Sequence, residues 1–385
     1  TPDYEMYGYS LALTPFPLLG HNRNYAYGLT MFENDDVDFY IEKNNPENLN
    51  EYQTPEGFST YKTVQKTIKI KGAPDTTFTV KISRHGPIMN NLLKQIDDQR
   101  PIAMQWIYKK TDNQIIDVGY QISHAKSLHD FKEGAKLLHA PGLNMMYGDA
   151  KDNIAWIASG KLYKYRDSIN TKLYLDGASG KDEILSYVDF EDNPQSINPA
   201  SNYVYSSNNQ PDTIAGVLYP GYYLPEDRGQ RIEQLLEVKN DWTQEDVQQM
   251  IFDVTSPVVP QVIANLVASI KTENFTKNEQ EALQNLKDWN GEYKKEDTAP
   301  TIYNRFLYEF LEGTFKDELG ESFPMFMQTP LMKKMIAVQA KKTVSVWFDD
   351  VTTEPKETKS DIVQRSFINA ISFLENQLGD TVSLW

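Results

Sequence analysis

Hydrophobic positions along the chain follow two different periods, and the change falls near Glu226. Before it, short runs rich in aromatic and β-branched residues alternate with Pro, Gly and Asn, the pattern of strands punctuated by turns. Tyr7 to Leu13, Tyr25 to Phe32, Val37 to Ile41 and Pro101 to Tyr108 are such runs. Thr67 to Ile70 and Thr77 to Ile82 flank Gly72-Ala73-Pro74-Asp75, which predicts a hairpin. One helix is expected here, over Ser127 to Leu138 with Ser127 as its N-cap. After Glu226 the period becomes helical. Thr276 and Glu279 have the spacing of a capping box ahead of Ala282, Leu283 and Leu286. Ile302, Phe306 and Phe310 recur at intervals of four, as do Val363, Phe367 and Ile371, each tracing a stripe for burial. Strands first and helices second predict an α+β protein, or a layered sandwich with a helical lobe. Residues 1–225 are its β-rich part and 226–385 its mainly helical part.

Composition narrows the functions open to such a chain. Its 385 residues, 40% hydrophobic and 24% charged, are enough to bury a substantial core. A formal charge of −16 has the wrong sign for a phosphate backbone, so no nucleic-acid partner is expected. No apolar run is long enough to span a bilayer, and Thr1-Pro2-Asp3-Tyr4 lacks the features of an export signal. With no cysteine there is neither a disulfide nor thiolate chemistry. His21, His85, His124, His129 and His139 form no His-Glu-x-x-His or His-x-His pair, which leaves a catalytic zinc without support. His21 and His85 are expected to be structural.

A series of polar signatures remains, in fixed order: Gly20-His21-Asn22, Asn34-Asp35-Asp36-Val37-Asp38, Arg84-His85-Gly86-Pro87-Ile88 and Asn144 through Ile154. Ser207-Asn208-Asn209-Gln210-Pro211, Asp227 through Ile232, Leu286 through Gly291 and Ala299 through Tyr303 follow. Together they resemble the penicillin acylase (penicillin amidase) family of N-terminal-nucleophile hydrolases along nearly the whole chain. The resemblance implies a four-layer αββα sandwich with a helical second half. It also implies that the nucleophile, a Ser opening the family's β-chain, lies a few dozen residues upstream of Thr1, and that a C-terminal part is missing too. The chain is then the central part of a β-subunit whose partners are a companion α-chain and that missing segment. Inactivity as a fragment, a small N-acyl substrate and a periplasmic or secreted location are further expectations.

The family motif assigns roles residue by residue. The first Asn of Asn-Asn-x-Pro is Asn208, whose side-chain N–H would stabilise the oxyanion of a tetrahedral intermediate. Read locally, the same four residues are only a turn. A second oxyanion donor falls on the backbone N–H of Met31, and Arg228 matches the Arg that helps fix catalytic geometry. Arg231 is expected on the solvated side. Leu19, Leu29, Tyr120 and Leu143 align with the acyl pocket, and their alternative is plain core packing. Asp35, the carbonyl of Val37 and Asp38 offer the hard oxygen ligands that calcium accepts, at a position where several family members bind it; no organic cofactor is expected. Gly160 to Arg166 departs from the pattern, with Tyr163 where relatives often carry Pro, which puts that loop in doubt. Two other functions stay open. Thr1 itself could be a processed nucleophile, and the 23 Tyr and 6 Trp would suit a surface glycan-binding protein. The latter leaves the ordered motifs unexplained.

Overall fold

Alternating aromatic residues at Tyr25 and Tyr27 begin the strand Tyr25–Met31, which lies third in a six-stranded sheet. The computed structural model describes residues 4–90, 92–93, 98–112, 114–211 and 219–385. Across that sheet the order is Tyr7–Tyr9, Leu19–His21, Tyr25–Met31, Leu143–Asp149, Ile154–Ser159 and Gln195–Ile197, every neighbour antiparallel. The chain divides into two compact units, Thr1–Tyr223 and Leu224–Trp385.

In the first unit the period of two sorts side chains onto two faces of this sheet. Tyr25, Tyr27, Met145, Tyr147, Ala155 and Ile157 share a buried cluster with Val118, Ile122, Phe131 and Ala135. The last four belong to helices α1 (Ile115–His124) and α2 (Leu128–Lys136), so this face is the helix-covered one. Ser127 caps α2 by accepting the N–H of Asp130 at 3.2 Å, as expected from its position. Helix α1 was not foreseen, although Val118 and Ile122 recur at helical spacing and are both buried. The opposite face of the same strands carries Thr30, Asn144 and Trp156, and there the site develops.

Val37–Ile41 forms a second sheet with Ile102–Trp106, antiparallel, and Leu175–Asp176, parallel. The hairpin pairs Lys62–Ile68 with Thr76–Ile82, closing at Ile68↔Thr76. Its first arm starts earlier and ends sooner than the expected Thr67 to Ile70, because residues 69–75 are all given to the connection. The run from Tyr7 is strand only to Tyr9; Leu11 to Leu13 turn away, Leu13 at φ 70°.

The second unit is helical throughout: α3 (Asp227–Leu236), α4 (Gln244–Ile251), α5 (Val259–Val267), α6 (Lys277–Asp288), α7 (Ala299–Leu319), α8 (Phe323–Phe326), α9 (Pro330–Lys341) and α10 (Lys359–Leu378). Both expected stripes are buried: Ile302, Phe306 and Phe310 on α7, Val363, Phe367 and Ile371 on α10. Phe306 meets Phe367 edge to face at 5.4 Å, and each such buried side chain contributes about 1.5–3 kcal/mol by leaving water. Capping boxes start α4 at Thr243, α6 at Thr276 and α10 at Thr358, each cap supplying about 1 kcal/mol. Among the described residues no helix is long and apolar enough to cross a membrane.

Candidate active site

The site is built on an open edge of Tyr25–Met31. Phe32 donates its N–H to the carbonyl of Gly142 at 3.0 Å, while Met31 stands opposite Leu143. Antiparallel pairs alternate in bonding, so the N–H and C=O of Met31 and Leu29 face away from Leu143–Asp149. On that other side, Leu19–His21 pairs only with Ala26 and Tyr27. No described strand covers the edge from Gly28 to Met31. A β-carbon placed on Gly28 would meet no atom of the described residues within 4 Å, which leaves room over this face of the strand.

Asn208 reaches that edge from a tight turn. Ser207 donates both its N–H and its hydroxyl to Asn209 Oδ1, at 3.1 and 2.9 Å, so Asn209 holds the turn together. Asn208 itself sits at φ 61°, a left-handed conformation that Asn tolerates better than most residues. Its Nδ2 donates to the carbonyl of Met31 at 2.9 Å, and its backbone N–H to Ser206 Oγ at 3.3 Å. A carbonyl can only accept, so this bond fixes which end of the Asn208 amide faces the edge. The amide nitrogen carries two hydrogens, and the bond to Met31 orients it through one of them.

The acidic loop lies beside the next strand. Asp35 and Asp38 are buried, at 2% and 1% exposure. Asp38 Oδ2 accepts from the hydroxyls of Tyr163 and Tyr165 at 2.9 and 2.7 Å, and Asp35 Oδ2 from Thr171. Among the described residues the Oδ1 atoms of both carboxylates are buried without a partner. Burial pushes the Asp35 carboxyl up to about 7, with Asp38 and Asp36 adding repulsion against the Thr171 hydrogen bond. Burial raises Asp38 as well, partly offset by its tyrosines. Ile107 donates to the carbonyl of Asp36 at 3.0 Å, so by alternation the Val37 carbonyl turns away from Ile102–Trp106. Two orphaned carboxylate oxygens and a carbonyl free of that ladder suit a hard cation, although calcium wants about six to eight oxygens. Among the described residues no three His, Cys, Asp or Glu side chains gather as ligands, so the others would be carbonyls, hydroxyls or water.

The penicillin amidase family model matches residues 1–385. The chain belongs to the penicillin amidase family. An acyl-homoserine lactone acylase, QuiP, from Pseudomonas aeruginosa is 26% identical over 422 residues, covering 100% of this chain and 48% of that protein. Penicillin G acylase from Escherichia coli is 27% identical over 243 residues, 61% of this chain and 28% of that one. The solved thermostable penicillin G acylase from Alcaligenes faecalis superposes with a TM-score of 0.79 at 18% identity, over 100% of this chain and 73% of that one. That likeness is one of fold: the N-terminal-nucleophile hydrolase sandwich. The chain spans about half the length of the curated relatives that it matches along its whole length.

Within this penicillin amidase fold the expected residues fare differently. Asn208 and Met31 are brought together, but the hydrogen bond runs to the Met31 carbonyl; the N–H points toward the same edge. Asp35 and Asp38 adjoin. Leu29 and Leu143 pack, half-buried, against the helix-covered core, whereas Leu19 and Tyr120 are 40% and 49% exposed. Tyr120 stacks on His124 at 4.1 Å and meets Phe16 at its edge. Arg228 occupies an exposed position on α3 in the second unit. Arg231 is not simply solvated: it pairs with Asp253 at 2.6 Å. Thr1 lies outside the described residues. His21 is exposed with Nδ1 near the Asn22 carbonyl, and Asn22 Oδ1 holds its turn through the N–H groups of Asn24 and Tyr25 at 2.8 and 3.0 Å.

Two features escaped the sequence reading. Tyr163, the departure from the family pattern, stands over the acidic loop as a donor to Asp38, so the substitution reaches past its own loop. The buried Asn144, with Thr30, Ser206 and Trp156 around it, is the other. Its only trace in the sequence was its place at the head of one polar signature.

Proposed function

We propose that this chain carries the oxyanion side of an acylase that cleaves the amide of a small N-acylated compound. The observation behind the reading is the Asn208 amide, held by the Met31 carbonyl at an open sheet edge. Charge developing on the scissile carbonyl oxygen would be met by an N–H of Asn208 and the N–H of Met31, a pair of donors fixed before reaction. The nucleophile is a Ser hydroxyl from a segment outside this sequence. Its own α-amine, with a pKa of about 8, takes the proton and hands it to the amine that departs as the amide C–N bond breaks, so no His is required. Water then releases the acyl group from the resulting ester. Leu19 and Tyr120 offer apolar surface to the acyl group, with Leu29 and Leu143 beneath.

An acyl-homoserine lactone is the first substrate to assay, because the relatives that match the whole chain are named for that activity. β-Lactams and N-acyl amino acids are the alternatives. Calcium held by Asp35, the Val37 carbonyl and Asp38 would be structural, supplying the positive charge these buried carboxylates lack. A companion α-chain and a periplasmic or secreted location complete the reading. The test is turnover of decanoyl-homoserine lactone, phenylacetyl and glutaryl amides by the full-length protein. We expect hydrolysis that is lost on replacing the upstream Ser, and none by the 385-residue chain alone. Activity of that chain which disappears on Thr1→Ala would transfer the nucleophile to Thr1.

A further inference from the structure

Behind Asn208 stands a second amide that the oxyanion reading does not use. Asn144 is 2% exposed, on the strand adjoining Tyr25–Met31. Its Nδ2 lies 3.1 Å from the Met31 carbonyl, 3.0 Å from Ser206 Oγ and 3.1 Å from Thr30 Oγ1. Its Oδ1 accepts from Trp156 Nε1 at 3.0 Å. An indole N–H can only donate, so Trp156 decides which end of the amide is oxygen and turns the N–H groups toward Met31 and Ser206.

Those two acceptors are the same two that hold Asn208. The Met31 carbonyl takes the side chain of Asn208, and Ser206 Oγ takes its backbone N–H. The Ser206 hydroxyl is fixed further by Thr30 Oγ1 at 2.6 Å. The sheet register explains how these residues meet. Asn144 lies opposite Thr30 on one side and Ala158 on the other, and Trp156 is two residues from Ala158, a diagonal neighbour on the same face. Three adjacent strands thus present one polar cluster beneath the turn that carries Asn208.

Building on the oxyanion reading, we infer that Asn144 is a positioning residue for Asn208, with Trp156 setting the orientation of its amide. Asn144 does not touch the reacting carbonyl. It ties the acceptor of the Asn208 side chain to the acceptor of the Asn208 backbone, so both move as one body. Losing that tie lets the oxyanion donor swing on its left-handed residue, and small displacements of a catalytic group cost rate steeply. A plain packing role for the buried Asn would instead lower stability and leave the turnover of the folded enzyme unchanged.

The experiment uses the full-length enzyme and the variants Trp156→Phe, Asn144→Asp and Asn208→Ala, with the double variants of each of the first two with Asn208→Ala. Asn144→Asp keeps size and the acceptor for Trp156 but presents oxygen to the Met31 carbonyl. We expect it to lower kcat by about a hundredfold with KM within about threefold, and Trp156→Phe to lower kcat about tenfold. The loss in Asn144→Asp should narrow, relative to wild type at each pH, as acidification protonates the new carboxylate and restores a donor. In the Asn208→Ala background either change should cost less than about twofold, since both act through the missing amide. Folded Asn144→Asp and Trp156→Phe variants with wild-type kcat, or losses that multiply fully with Asn208→Ala, would overturn the inference and leave the oxyanion assignment standing. A wild-type rate in Asn208→Ala alone would instead remove that assignment, and this inference with it.

Discussion

The side-chain amide of Asn208 and the carbonyl of Met31 meet at 2.9 Å across 177 residues of sequence. Because Asn208 sits at φ 61°, two replacements separate chemistry from conformation. Asn208→Ala removes the amide and places a β-carbon in a left-handed residue, at a cost of about 1 kcal/mol in stability. Asn208→Gly removes the amide without that strain. Both should slow the full-length enzyme a few hundredfold, about 3 kcal/mol in the barrier, while the Ala variant melts lower than the Gly variant. Steady-state kinetics beside thermal melts will check this, and a Gly variant with normal kcat would refute the oxyanion role.

How much of this was legible depended on whether a signal was local. Ile302, Phe306 and Phe310 announce α7 because four-residue spacing puts them on one stripe, and burial followed. Thr276 with Glu279 marked the start of α6 for the same reason: both partners of a capping box lie within one turn. Asn208 was legible through a motif, though as a local turn it would have passed for Asn and Pro doing ordinary work. Asn144 was not, since its partners Thr30, Trp156 and Ser206 come from three other segments and only sheet register joins them. Val37–Ile41 was read correctly as a strand, yet nothing local said that Tyr163 and Tyr165 would stand over Asp38.

The acidic loop gives a prediction about metal. Asp35 Oδ1 and Asp38 Oδ1 are buried without partners among the described residues, so a bound cation would relieve an unfavourable state of the native protein. A ligand that binds the native state alone stabilises it by mass action. Chelator treatment of the full-length protein should therefore lower its melting temperature, and added calcium should restore it. Asp35→Asn should melt alike with and without chelator. Equal chelator responses in wild type and variant would reduce the cluster to a buried carboxylate pair.

In the second unit, Phe306 is fully buried and packs edge to face on Phe367, whereas Val344 is 83% exposed. Phe306→Ala should destabilise the unit by about 3–5 kcal/mol, the lost transfer energy plus the cavity left behind. Val344→Ala should stay within about 0.5 kcal/mol of wild type. Urea unfolding followed by far-ultraviolet circular dichroism, which reports the helices, will measure both. A Phe306→Ala midpoint equal to wild type would mean that the α7–α10 contact is not a core.

His85 supplies a prediction about pH. The ring is 2% exposed, stacked on Tyr40 at 3.8 Å, with Nδ1 2.7 Å from Glu42 and Nε2 3.0 Å from Glu183. Carboxylates on both nitrogens call for two N–H donors, which only the imidazolium has. Burial pulls the imidazolium pKa down, but the hydrogen bonds to Glu183 and Glu42 outweigh it, and the net shift is upward from 6.5. The native state therefore keeps a proton that the unfolded chain releases. The resulting stabilisation is complete below about pH 6.5 and is lost as pH rises through the higher native pKa. His85→Gln, which cannot carry the charge, should be less stable than wild type at about pH 6, and the gap should narrow as pH rises above about 6.5. Urea midpoints of the 385-residue chain and its variant across that range will decide. A gap that stays constant would show that His85 is neutral in the folded protein.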